Sequence, residues 1–63
     1  MNVLKTGEYL IIGMDLEFDC GLTLNEGTRL EKANYHLQHE GFVTVIIDND
    51  ISWLSQECFQ EFQ

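Results

Sequence analysis

Phe42-Val43-Thr44-Val45-Ile46-Ile47-Asp48-Asn49-Asp50-Ile51-Ser52-Trp53-Leu54 decides the class of fold. The first six of these residues are β-branched or aromatic, so 42–47 reads as a strand, and its side chains are apolar on both faces of the pleat. Such a strand belongs in the middle of a sheet, or meets a partner with one face. Asp48-Asn49-Asp50 is a tight turn, because short polar side chains bond to nearby backbone and tolerate left-handed conformations. Ile51 to Leu54 then forms a second, short strand.

Toward the N-terminus, His39-Glu40-Gly41 reads as the tip of a hairpin, and Thr28 to Leu37 carries β-branched and aromatic residues with mixed charges. Asn25-Glu26-Gly27 is a turn, preceded by the brief apolar pair Leu22 and Leu24. Further back, Leu10, Ile12, Met14, Leu16 and Phe18 alternate with Ile11, Gly13, Asp15, Glu17 and Asp19. This period of two predicts a long first strand over Tyr9 to Phe18, closed by Gly21. Toward the C-terminus, Ser55 N-caps a single helical turn over Gln56 to Phe62, with Glu57 placed where the helix dipole favours an anion. That turn is too short to stand without packing. The expected architecture is mainly β, one domain over 1–63: a small antiparallel barrel or a strongly bent sheet, with one short C-terminal helical turn. Its expected core is Ile12, Met14, Leu16, Leu30, Val43, Val45, Ile47 and Ile51, with the aromatic Tyr35, Phe42, Trp53, Phe59 and Phe62.

Sixty-three residues provide one thin core and no two-domain catalytic cleft. With 44% hydrophobic and 22% charged residues, the composition is globular rather than disordered. Eleven Asp and Glu against three Lys and Arg give a net charge of −8. Direct binding to nucleic acid or to an anionic membrane is therefore disfavoured, since both draw affinity from Lys and Arg. The three cations, Lys5, Arg29 and Lys32, lie in the first half, and Ala33 to Gln63 holds only anions. Two cysteines, Cys20 and Cys58, are too few for a disulfide scaffold, and no charged and then apolar leader pattern opens the chain. A cytoplasmic protein with free thiols is expected. The longest apolar run, Tyr9 to Ile12, ends at Gly13, far short of the ~18 residues of a membrane helix.

Asp15-x-Glu17-x-Asp19 sets three carboxylates on one face of the expected first strand, about 6.6–6.8 Å apart per step. One reading is an edge strand kept from aggregating by charge; the other is a row of anions imitating the phosphates of a nucleic-acid strand. Like charges in a row repel, so a row without a Lys partner calls for a reason. Calcium is the rival: Asp15, Glu17, Asp19 and Glu26 fall at positions one, three, five and twelve of an EF-hand count. Against it, Cys20 stands where the loop needs glycine, and the flanks read as strands. His36 and His39 with Cys20 and Cys58 offer zinc donors, but without paired spacing, and two histidines three apart on a strand face opposite sides. No nucleophile, base and orienting group recur together and no phosphate loop is present, so catalysis and a cofactor are not expected. The aromatics Tyr35, Phe42, Trp53, Phe59 and Phe62 suit a base-stacking platform only if a basic groove accompanies them, and none does.

The order of these elements, with Leu24-Asn25-Glu26-Gly27-Thr28-Arg29-Leu30 as a diverging turn and Ile51-Ser52-Trp53-Leu54 running into Cys58-Phe59, resembles small barrels of the Src-homology-3 type over residues 9–62. The aromatic peptide groove and the proline of the signalling members are absent, so the resemblance implies the fold and not their ligand. In size, charge and type the chain also resembles the small acidic host-takeover proteins of bacteriophages. That resemblance implies a DNA mimic that blocks a basic host protein, such as an HU-like nucleoid protein, a repair or restriction enzyme, or RNA polymerase. Its contacts would be Asp15, Glu17, Asp19, Asp48, Asp50 and Glu57. The alternatives are a non-catalytic interaction module working through the apolar strand 42–47, and a calcium-binding protein. A homodimer joined by Phe42, Thr44 and Ile46, or by Val43, Val45 and Ile47, is a further expectation.

Overall fold

The computed structural model describes residues 4–63. The chain forms six short strands: β1 (Lys5–Ile11), β2 (Leu16–Glu17), β3 (Thr23–Leu24), β4 (Arg29–Ala33), β5 (Phe42–Ile47) and β6 (Asp50–Ser55). Every strand pair is antiparallel. The larger sheet runs β1-β4-β5-β6, and β2-β3 is a separate hairpin. The chain is mainly β, and its sheets are not closed into a barrel; of the two expected forms it takes the open one.

The hairpin of β5 and β6 follows the sequence reading closely. Ile47 faces Asp50 across the turn, and Asp48 and Asn49 both have positive φ, +53° and +68°. Two central residues of that hand define the type I′ turn, whose twist matches that of paired strands. Because an L side chain is disfavoured there, Asn49→Gly is expected to raise stability by about 0.5–1 kcal/mol. The check is a urea midpoint shifted upward with an unchanged slope. β5, apolar on both faces, lies between β4 and β6 as a central strand.

The first strand departs from expectation. β1 ends at Ile11, Ile12 survives as an isolated bridge to Phe59, Gly13 to Asp15 belong to no strand, and pairing resumes only at Leu16. The cause is competition for the backbone. Ile12 donates its N–H to the Thr28 carbonyl and accepts from Gly27, both at 2.8 Å, while Gly13 donates to Cys58 at 2.7 Å. Gly27, at φ +92°, gives the 25–28 turn its shape, closed by a 3.0 Å bond from Thr28 N–H to the Asn25 carbonyl. Gly13 sits in a crowded place: a Cβ there would lie 3.1 Å from the backbone nitrogen of Gln60 and 2.6 Å from the Gln63 amide, which would have to swing aside. Nearer the N-terminus, four steps along β1 from Lys5 to Tyr9 oppose two along β4 from Ala33 to Glu31. This bulge, with Gly7 at φ +80°, bends the strand.

Two other expectations are corrected. The segment Thr28 to Leu37 is strand only over Arg29–Ala33, after which residues 34–41 leave the sheet. The expected hairpin tip at His39-Glu40-Gly41 is the last turn of that connection, closed by Phe42 N–H on the His39 carbonyl at 3.0 Å. In place of one helical turn there are two 3₁₀ turns, Gln56–Cys58 and Gln60–Phe62, with Ser55 Oγ accepting from Glu57 N–H as a cap. Phe59 between them is extended because it pairs with Ile12.

The core comprises Ile12, Leu24, Leu30, Val43, Val45, Leu54 and Phe59, with Leu10, Leu16, Phe18, Ile47 and Cys58 packed against it. Ile12, Leu30, Val43, Val45 and Phe59 are where the pattern puts them. Met14, Phe42 and Phe62 are instead exposed, Met14 because the strand has already broken at Gly13. Among the described residues no helix is long and apolar enough to cross a membrane.

Candidate partner-binding surface

Carboxylates outnumber everything they meet. Glu8 pairs with Lys32 at 3.3 Å. Glu31 accepts from Gly7 N–H at 2.9 Å, Glu61 from Ile11 N–H at 3.3 Å and Asp15 from Glu26 N–H at 2.8 Å. Among the described residues, Glu17, Asp19, Glu26, Glu40, Asp48, Asp50 and Glu57 have side chains with no ion-pair or hydrogen-bond partner, and all are exposed. The cations are segregated in space as in sequence: Lys5 lies on β1 and Arg29 and Lys32 on its neighbour β4, with the Arg29 guanidinium 4.6 Å over the Tyr9 ring. β5, β6 and the C-terminal turns carry anions only.

The six residues expected to meet a partner are all exposed, but not in one row. Asp15 sits in the break after Gly13 and turns back onto Glu26, Glu17 is on β2 opposite Thr23, and Asp19 occupies the β2–β3 turn. The single-strand ladder of Asp15, Glu17 and Asp19 therefore does not exist, because a continuous strand over 9–18 does not. Asp48 lies in the β5–β6 turn, Asp50 begins β6, and Glu57 follows its end in the first 3₁₀ turn. The six-residue strand β6, which spans roughly 17–20 Å, sets the Asp48 and Asp50 end apart from Glu57.

The expected dimer contact also changes. Thr44 is only 4% exposed, and its hydroxyl donates to Gln38 Oε1 at 3.0 Å. The connection 34–41 folds over the outer face of β5 and β6, where Trp53 Nε1 donates to the Leu37 carbonyl at 3.3 Å and its ring meets Tyr35 and His39 edge-on. The loop covers Thr44 and packs on Trp53. Of the trio only Phe42, 48% exposed, and the half-buried Ile46 reach the surface, and Val43 and Val45 are core. Strand addition to 42–47 is blocked as well, since β4 and β6 occupy both edges of β5.

The aromatic residues form no shared platform: Phe59 is buried, Tyr35 and Trp53 pack with the loop histidines, and Phe42 and Phe62 line a separate hollow with Leu10 and Lys32. The residues weighed as calcium or zinc donors are not drawn together either; among the described residues no three His, Cys, Asp or Glu side chains converge at ligating distance. Both thiols are free, Cys20 exposed and Cys58 half-buried.

The structure does bring together two segments that the sequence reading treated apart. Phe18, Cys20 and Leu22 from the β2–β3 hairpin face Ile47, Ile51, Ser52, Trp53 and Leu54 across a groove of about 350 Å³. Asp19 stands in the chain between two residues of one wall, and Asp48 in the turn and Asp50 at the start of β6 lie between Ile47 and Ile51 of the other. No local signal marks this groove, because it arises from contact between distant elements. The terminal position of β6 in the sheet is the feature that exposes it. No protein-family model, no curated protein and no solved structure matches this chain.

Proposed function

We propose that this chain is a non-catalytic binding protein that presents carboxylates to a basic, nucleic-acid-binding protein and blocks it, in the manner of the small acidic host-takeover proteins it resembles. The observation behind this reading is the set of seven exposed carboxylates without an internal partner among the described residues, on a surface whose Lys and Arg are confined to β1 and β4. Unpaired like charges destabilise a thin core, so their retention is accounted for by an external partner of opposite sign. A phosphate-binding surface is rich in Lys and Arg and supplies that sign.

The test is a titration of this protein against a purified HU-like nucleoid protein and other basic DNA-binding proteins, at low and at high salt and in the presence of duplex DNA. Binding is expected to weaken steeply as salt rises, because exposed charges are screened over about 8–10 Å at physiological ionic strength. DNA and this protein are expected to compete. Salt-independent binding, or a ternary complex with DNA, contradicts the proposal.

A further inference from the structure

The free edge of β6 and the groove beside it form a site for a lysine-bearing, extended segment of a partner, which we infer adds to the sheet as a further antiparallel or parallel strand. The inference rests on the reading of this chain as a binder of basic partners and locates where such a partner is held. Among the described residues β6 ends the sheet, with β5 on one side and no strand on the other. The two-residue turn makes Ile47 and Asp50 the closing hydrogen-bonded pair, so Val45 with Ser52 and Val43 with Leu54 repeat that phase. The bond from Gln56 N–H to the Gly41 carbonyl at 3.1 Å continues it. Ile51 and Trp53 therefore point their N–H and carbonyl groups away from β5, along the groove walled by Phe18, Cys20 and Leu22.

An exposed edge of this kind is normally blunted by lysine, proline or a bulge, and β6 contains neither Lys nor Pro. Its charges stand at the ends: Asp48 and Asp50 at one and Glu57 at the other, while exposed Asp19 lies in the chain between the wall residues Phe18 and Cys20. That arrangement selects the occupant. Antiparallel pairing of two copies would set the Asp50 end of each β6 against the Glu57 end of the other, which like charges oppose. A segment alternating lysine with an apolar residue satisfies both parts of the site, its backbone on Ile51 and Trp53, its apolar side chains in the groove and its ammonium groups toward the carboxylates.

The test uses the whole protein and a capped peptide of alternating lysine and valine, about eight residues long, followed through the single tryptophan, Trp53, which lines the groove. Binding is expected to change Trp53 emission, to weaken with salt, and to fall about tenfold or more when alternate peptide nitrogens are N-methylated, which deletes backbone bonds without changing charge. Ile51→Pro removes one outward N–H and is expected to act in the same direction; the methylated peptide gives the answer even if that variant folds poorly. Equal binding of the N-methylated peptide or of a plain lysine peptide overturns the inference, as does light scattering that shows a dimer which the peptide must dissociate. If the groove fails these tests while a DNA-binding protein still competes with DNA for this chain, the proposed function stands and only the docking site is lost.

Discussion

Phe59→Ala is expected to remove a large share of the folding free energy. Phe59 is the largest fully buried side chain, 0% exposed, and its backbone bridge to Ile12 ties the C-terminal turns to β1. Truncating a buried phenylalanine costs about 3–5 kcal/mol, and a domain of this length has roughly 3–9 kcal/mol in all. The urea midpoint of the variant should fall steeply, with the strand signal in circular dichroism lost at far lower urea than in the wild type. Phe59→Leu keeps most of the volume and should remain folded at a cost of about 1–1.5 kcal/mol. An alanine variant with a wild-type midpoint would show that the C-terminal segment contributes little to the core.

Neutralising Glu17, Asp19, Asp48 and Asp50 together, as Gln and Asn, should slow association with a basic partner by about tenfold or more at low salt, and much less at high salt. The four side chains are exposed and accept no internal bond among the described residues, so shape is preserved. The substitutions remove four of the eight net negative charges, and stability should stay level or rise slightly. Asp15 is left intact because it holds the Glu26 N–H, and its loss would confuse a folding effect with a binding one. An unchanged association rate at low salt would show that these carboxylates do not steer the partner.

The hairpin of β5 and β6 was legible because both of its signals are local: residues that are apolar on two faces, and a polar turn whose side chains tolerate positive φ. The first strand was misread for a physical reason. Ile12, Leu16 and Phe18 all reach the core, so the alternation persists across Gly13 although the residues belong to different elements. The interruption comes from bonds to Gly27, Thr28 and Cys58, which no short window contains. The same holds for residues 34–41, whose aromatic content reads as strand but covers Thr44 and Trp53. For the candidate site, the exposure of Asp48, Asp50 and Glu57 followed from turn and cap chemistry, whereas the groove depends on where the β2–β3 hairpin lands on β6.

The bridge between Ile12 and Phe59 also sets an order of events in time. Its partners are 47 positions apart in the chain, whereas β5 and β6 are joined by two turn residues. Closing the long loop is entropically the costlier step, so the hairpin is expected to form early and the C-terminal clasp late. Asn49→Gly should then act mainly on the folding rate and Phe59→Leu mainly on the unfolding rate, as stopped-flow measurements of the two arms would show. On this view the lifetime of the native state is governed from the last few residues, and the speed of reaching it from a turn on the far side of the sheet.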